Sequence, residues 1–280
     1  MRIVGLLKIV FAKIGMIGIT PMIEGLFDER AVRKDIVIRS VYSGCKMEPS
    51  DAKEVLEAAL ALKPQLLILV TPYLQGEGPM AGVEMLCESG VPSCVVSNTA
   101  TKEVLSKLEE NGIGYIIVDA DPMIGAKKEF LDPVEMCLFN SDIIRVLSLT
   151  GVYRAIQIEV DKMIEALKQG LKPQPPKLIL DKEKALAYAG YHNPYAAAKA
   201  MAAYEACRLV AELSTRGCYA VKDLGRALHY VSAAHEVMRV AALMVDEARE
   251  MEKKNDTVER LIHISDGSVI KRVRLLEGVS

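Results

Sequence analysis

Asp119, Asp121, Lys127 and Lys128 place carboxylates and ammonium groups on and just after the turn Asp119-Ala120-Asp121-Pro122. The turn follows Tyr115-Ile116-Ile117-Val118, an apolar run too short for a helix and rich in β-branched residues, which predicts a buried strand. Ligands of open α/β sheets sit at the carboxyl ends of strands, so these charged residues are candidates for a site rim, with a solvated turn as the plainer alternative. Two further strand ends carry other chemistry. Gly15 and Gly18, in Lys13-Ile14-Gly15-Met16-Ile17-Gly18, would let backbone amides approach a phosphate or other anion. They lack the dinucleotide fingerprint and suit a simple tight turn as well. Thr71 and Pro72 open the glycine- and proline-bearing loop of residues 71–79, and Asn98 and Thr99 form another loop; both are candidate cofactor-binding positions.

His235 stands in Ser232-Ala233-Ala234-His235-Glu236-Val237-Met238-Arg239. Glu236 and Arg239 are three apart and can pair on one helical face, while His235 projects elsewhere and is a candidate for a cleft; an interfacial, hydrogen-bonded histidine is the structural alternative. A second histidine four residues on, which a zinc protease helix needs, is missing. Nucleophile elbow, Walker loop and clustered His/Cys ligands are also missing. What remains suits reactions driven by holding two organic molecules face to face, such as hydride transfer between a cofactor and a substrate.

The elements that must position these residues follow an alternating pattern. Strands are predicted within residues 2–11, at 36–42, 66–70 and around 94–97, and at 115–118, with helices between them, the first entered at Thr20-Pro21 and the second capped by Ser50. Such alternation argues for right-handed βαβ units and a mostly parallel sheet whose carboxyl-end loops share one side. After Pro133 no further alternating strands are expected for about a hundred residues; helices are predicted at 134–149, 152–169, from Asn193-Pro194 to about 213, and at about 223–254. Lys172-Pro173-Gln174-Pro175-Pro176 reads as an extended linker, and Asp266-Gly267 as the turn of a closing hairpin, which has to pack on the body or on a second subunit. The fold class is therefore α/β: a mostly parallel, Rossmann-like sheet domain (1–132), a helix bundle (133–258) and a small C-terminal β-hairpin (259–280).

With 280 residues, 51% of them hydrophobic, the chain can bury a substantial core. Its net charge of -2 gives no basic footprint for nucleic acid. The 6 cysteines form no C-x-x-C pair, which suits reduced thiols in the cytoplasm and offers no metal framework. Residues 1–27 imitate a signal peptide or membrane span, but Lys8, Lys13, Gly15, Gly18 and Pro21 break the run, so a buried first strand and no membrane partner are expected.

Longer motifs add a family resemblance. Ile124-Gly125-Ala126, Glu129-Phe130-Leu131-Asp132-Pro133-Val134-Glu135-Met136, Asn140, Thr150-Gly151-Val152, Asn193-Pro194-Tyr195-Ala196, Lys199-Ala200-Met201-Ala202-Ala203, Gly217-Cys218, Ala234-His235-Glu236, Met238-Arg239, 246–250 and Asn255-Asp256 resemble the coenzyme F420-dependent methylenetetrahydromethanopterin dehydrogenases of archaea in order and spacing. Residues 26–30 and Lys46-Met47 match near the start, so nearly the whole chain is covered.

The resemblance implies a homo-oligomer, a hexamer assembled from dimers, and a direct, metal-free hydride exchange between the methylene carbon of a tetrahydromethanopterin-type substrate and the deazaflavin of F420, in one-carbon metabolism and methanogenesis. Oxidation turns the substrate into a cationic methenyl species, so nearby carboxylates would offset developing positive charge. Asp121 and Glu129 are the carboxylate candidates, with His235 a further catalytic candidate at the cleft. Departures from the family pattern fall in the sheet loops: no asparagine in residues 14–18, Val70-Thr71-Pro72-Tyr73-Leu74-Gln75 for a Gly-Gly-Pro-Asn-Pro type loop, Ser97-Asn98-Thr99-Ala100 for Gly-Asp and small residues, and Asp119 where a lysine is usual. They imply an alternative: a diverged paralogue acting on another pterin, for example a dihydropterin reductase, or with another cofactor, or a non-catalytic pterin- or deazaflavin-binding protein. Asp119 in particular would set an anion beside a polyanionic cofactor.

Overall fold

The structure is a computed structural model that describes residues 6–28, 33–122 and 132–278, the side chains of 24 and 26–28 apart. The chain divides into two compact units, one comprising Met1–Val118, Ile156–Ile179 and Ser265–Gly267, the other Asp119–Ala155, Leu180–Ile264 and Ser268–Ser280.

In the first unit, strands β1 (Leu7–Lys13), β2 (Ile36–Tyr42), β3 (Leu66–Val70), β4 (Ser93–Ser97) and β5 (Gly114–Val118) alternate with helices α1 (Ile19–Asp28), α2 (Pro49–Ala61), α3 (Glu77–Ser89) and α4 (Lys102–Glu110). The sheet order is β2-β1-β3-β4-β5, continued by β6 (Lys177–Leu180) beside β5. All pairings among the first five strands are parallel. Every residue of β3, β4 and β5 is buried, as central parallel strands covered on both faces must be, whereas β2 at the edge is partly exposed. Val10, Ala12, Leu67, Leu69 and Val95 from the strands meet Val55, Leu56, Val83, Leu86 and Leu108 from the helices in the core.

Chain order reverses at β1: the first connection leads to β2 on one side, the next to β3 on the other. The carboxyl ends of β1 and β3 thus diverge at a topological switch point, where open α/β sheets leave a crevice.

Three local expectations need correction. Helix α2 is capped by Glu48 rather than Ser50, because Pro49 takes the first helical position and the side chains of Glu48 and Asp51 cap reciprocally. Strand β6 and helix α7 (Lys182–Ala189) follow the extended 172–176 segment, in a stretch where no further strand was expected. The Tyr115 amide donates to the Pro176 carbonyl at 2.7 Å, so the proline segment leads straight into sheet pairing.

The second unit is helical: α5 (Pro133–Leu149), the start of α6 (Val152–Lys168), α7, α8 (Pro194–Thr215) and α9 (Leu224–Lys254), with a five-residue π turn, Arg216–Ala220, after α8. Asn193 caps α8 through the amides of Tyr195 and Ala196, a contact worth about 1 kcal/mol. Buried Ala196, Ala200 and Ala203 on α8, with Ala227, Ala234, Ala241 and Ala242 on α9, allow the long helices to pack closely. The predicted hairpin forms as β7 (Arg260–His263) and β8 (Val269–Arg272), with Ile262 opposite Ile270.

Gly15 is fixed by two constraints. Its φ is +70°, and a Cβ there would lie 2.4 Å from Met47 Sδ and 3.2 Å from Pro72 Cδ. Gly15→Ala is therefore expected to cost about 1–3 kcal/mol in denaturant unfolding. An unchanged midpoint would show that the turn relaxes freely.

Candidate active site

At the switch point, the sequence candidates Gly15, Thr71, Pro72, Asn98 and Thr99 lie on loops tied to one another. The Ile14 amide donates to the Val70 carbonyl at 3.0 Å, and the Leu74 amide to the Thr99 carbonyl at 3.1 Å. The Tyr73 amide donates to Asn98 Oδ1 at 3.0 Å. Tyr73 has φ 48°, a left-handed conformation costly for a bulky residue, and its side chain stays exposed. The Gly15 amide is engaged by Ser43 Oγ at 3.1 Å and the Ile17 amide by Thr20 Oγ1 at 3.0 Å. Gly18 is buried in the same turn.

Lys13, the last residue of β1, was not a sequence candidate for the site. It is only 3% exposed, paired in register with Tyr42 and Val70, with Nζ 5.6 Å from the centroid of the Tyr42 ring. Burial pushes its ammonium down to about 8. The sequence signal for it was a lysine closing the apolar run Ile9-Val10-Phe11-Ala12.

In the helical unit, Asp119 does not offer a bare anion. Tyr204, fully buried, has its hydroxyl 2.7 Å from Asp119 Oδ1 and 2.8 Å from the Leu180 carbonyl, and Arg208 Nε lies 3.0 Å from Asp119 Oδ2. Burial first, then the Asp119 carboxylate, push the Tyr204 phenol far up, so it stays a hydrogen donor. Asp119→Ala should lower stability by about 1 kcal/mol, since Tyr204 keeps one acceptor. Equal unfolding midpoints for variant and wild type would show the contact to be idle.

Asp121 is completely buried. Its charge is felt nearby: burial, then Asp121 and Asp119, raise the Cys207 thiol, which donates to the Ala120 carbonyl at 3.0 Å. Glu129, with Lys127 and Lys128, lies outside the described residues.

His235 is 8% exposed and stacks on Phe139, centroids 4.0 Å apart and planes within 6°. Its Nδ1 is 2.8 Å from Glu135 Oε1. Both line a cavity of about 260 Å³ with Asp142, Glu236 and Arg239. Arg239 reaches Asp142 at 3.2 Å, across from its own helix, and Arg145 joins the same carboxylate. Burial raises the Asp142 carboxyl against the pull of Arg239 and Arg145. Glu135 and Asp142 carried no assigned role in the sequence, because their pairing with α9 depends on helix packing rather than spacing.

A family model described as methylene-5,6,7,8-tetrahydromethanopterin dehydrogenase matches residues 7–280. The chain belongs to the methylenetetrahydromethanopterin dehydrogenase family. Among members of the dehydrogenase family, the F420-dependent methylenetetrahydromethanopterin dehydrogenase of Methanocaldococcus jannaschii is 42% identical, over 96% of this chain and 98% of that protein. Its counterpart from Archaeoglobus fulgidus is 43% identical, over 96% and 97%. A solved F420-dependent dehydrogenase, in complex with methylene-tetrahydromethanopterin and coenzyme F420, superposes with a TM-score of 0.92 at 39% identity, covering 97% of this chain and 99% of the other. The parallel sheet, the helices and the small hairpin are thus the dehydrogenase fold.

Proposed function

We propose that this chain is an F420-dependent methylenetetrahydromethanopterin dehydrogenase, an oxidoreductase that moves a hydride between methylenetetrahydromethanopterin and coenzyme F420 in archaeal one-carbon metabolism and methanogenesis. The observation that carries the reading is its agreement, over nearly all of both chains, with a relative solved with both ligands. The relatives described above share one activity, and none favours another pterin or a non-catalytic role.

The residues at the switch point fit an anionic heteroaromatic cofactor. Lys13 supplies a cation there, and Gln75, in the loop after β3, holds a buried amide oxygen with no partner among the described residues, which a ring N–H would satisfy. The loops carrying Thr71, Pro72, Asn98 and Thr99 are braced by hydrogen bonds, as a preformed binding edge requires. When bound, F420 supplies a ring carbon that accepts a hydride. The protein's part is to hold the reacting carbons together, exclude water and oppose the positive charge that grows on the substrate. Asp121 and Glu129 are assigned the last role, and His235, set by Glu135, a polar contact at the cavity.

Homo-oligomerisation, in a hexamer assembled from dimers, is part of the same reading. It is supported by exposed Ile262, Ile270, Leu275 and Leu276 on and after the hairpin. Among the described residues no helix is long and apolar enough to cross a membrane. A cytoplasmic location is supported by cysteines that form no disulfide among the described residues.

The test is anoxic incubation of purified protein with methylenetetrahydromethanopterin and oxidised F420. Loss of the oxidised cofactor's absorbance is expected; no turnover at saturating ligand rejects the reading.

A further inference from the structure

Among the described residues, the non-glycine residues with a positive φ are Lys63, Tyr73 and Asp256. Lys63 and Asp256 are exposed polar residues directly after the C-caps of α2 and α9, an ordinary way for a helix to stop. Tyr73 has no such setting. It is the third residue beyond β3, at the switch point, and its φ of 48° is one that glycine or asparagine takes at less cost than a bulky aromatic. A conformation of this kind persists only where its surroundings impose it, and such residues cluster at ligand-binding positions.

The surroundings of Tyr73 are specific. Its amide donates to Asn98 Oδ1 at 3.0 Å, and its carbonyl accepts from the Gly76 amide at 2.8 Å. On either side, Pro72 and Leu74 are buried, and the Leu74 amide donates to the Thr99 carbonyl at 3.1 Å. Pro72 in turn lies against the glycine turn after β1, where a Cβ on Gly15 would be 3.2 Å from Pro72 Cδ. The Tyr73 ring is set down along Gly76, where an added Cβ would come within 3.2 Å of Tyr73 Cδ1. Backbone and ring edge are thus held, yet the residue stays 47% exposed beside Thr71, Pro72, Asn98 and Thr99. Burial of apolar surface does not account for a costly backbone conformation that holds an aromatic face out to solvent.

We infer that Tyr73 is a ligand-contact residue of the switch-point crevice, its ring the stacking face for a planar heteroaromatic group. The inference rests on the proposed function for the ligand's identity and on the geometry of the loop after β3 for the site. Two sources share this chemistry: the deazaflavin of F420 and the pterin of the substrate. Either ring system can lie offset on a phenol ring, and a ring already braced by its own loop loses little freedom when the ligand arrives.

The experiment labels the wild-type protein with fluorotyrosine, assigns the Tyr73 fluorine resonance by its disappearance in Tyr73→Phe, and follows it during titration with oxidised F420 and, separately, with tetrahydromethanopterin. One ligand should shift the Tyr73 resonance through its ring current, and that ligand identifies which ring stacks. This readout does not depend on any variant that removes the ring. Calorimetry of the variants runs in parallel. Tyr73→Phe keeps the stacking face and should bind that ligand within about 2-fold of wild type, whereas Tyr73→Asn, which suits the left-handed backbone, should bind it about 5- to 100-fold more weakly. An unmoved Tyr73 resonance with both ligands bound, or wild-type affinity for both in Tyr73→Asn, overturns the inference while leaving the proposed function standing. A loss in Tyr73→Phe as large as in Tyr73→Asn also overturns it, since the hydroxyl would then be the contact. If wild type binds neither ligand, the proposed function fails, and titration with flavin mononucleotide decides the inference. A shifted Tyr73 resonance keeps it; an unmoved one, or no binding, sinks it.

Discussion

Asp121→Asn is expected to lower kcat for F420 reduction about 100- to 1000-fold while leaving the fold intact. The substitution keeps the shape of the side chain and removes its charge. Asp121 has no solvent exposure and stands in the turn directly after the carboxyl end of β5, where ligands of open α/β sheets sit. Conversion of a methylene to a methenyl carbon leaves a full positive charge on the substrate, and a fixed anion in a dry site opposes that charge without having to reorganise. Such an interaction exists mainly in the transition state and product. The loss should therefore fall equally on kcat and kcat/KM, with KM for the pterin nearly constant. A rise in KM alone would make Asp121 a binding residue, and unchanged kinetics would remove it from the site.

Arg33→Met is expected to cost about 3–5 kcal/mol of stability. The Arg33 side chain is 1% exposed and meets Asp35 through Nε at 2.9 Å and Nη2 at 2.6 Å, with Asp161 at 3.6 Å and Glu165 at 3.7 Å. Lys168 closes the network on Asp35 and Glu165, each at 2.8 Å. Without the guanidinium, Asp35, Asp161 and Glu165 each lose a cation, and Lys168 remains beside Asp35 and Glu165. The pH dependence follows from Asp35: burial would raise its carboxyl, but hydrogen bonds and charge from Arg33 and Lys168 win and hold it at about 2. Its folded value lies below the ordinary value near 4, so its stabilising contribution is complete above about pH 4 and is lost as pH falls towards 2. Urea unfolding across that range should show the acid loss in wild type and a smaller one in Arg33→Met. Parallel curves would show that Asp35 keeps its lowered value without Arg33.

The central strands were legible because residues 66–70 and 115–118 are continuous apolar runs that suit parallel strands buried on both faces. Strand β6 was not: Lys177-Leu178-Ile179-Leu180 is short, follows a proline segment and gains its identity from β5, not from its own pattern. The site was legible mainly through its loops. Lys13 reads in sequence as an interruption of an apolar run, and only the strands on either side bury it. The partners of Asp119 were hidden for a related reason. Tyr204, 85 residues away, and Arg208 engage its carboxylate, which no local spacing reveals.

Direct transfer of hydrogen between substrate and cofactor is the central claim, and substrate carrying deuterium on its methylene carbon tests it most directly. Mass spectrometry of the reduced F420 formed in ordinary water should find the deuterium retained on the deazaflavin ring. Reduced F420 lacking deuterium, with the label released into solvent, would contradict the account.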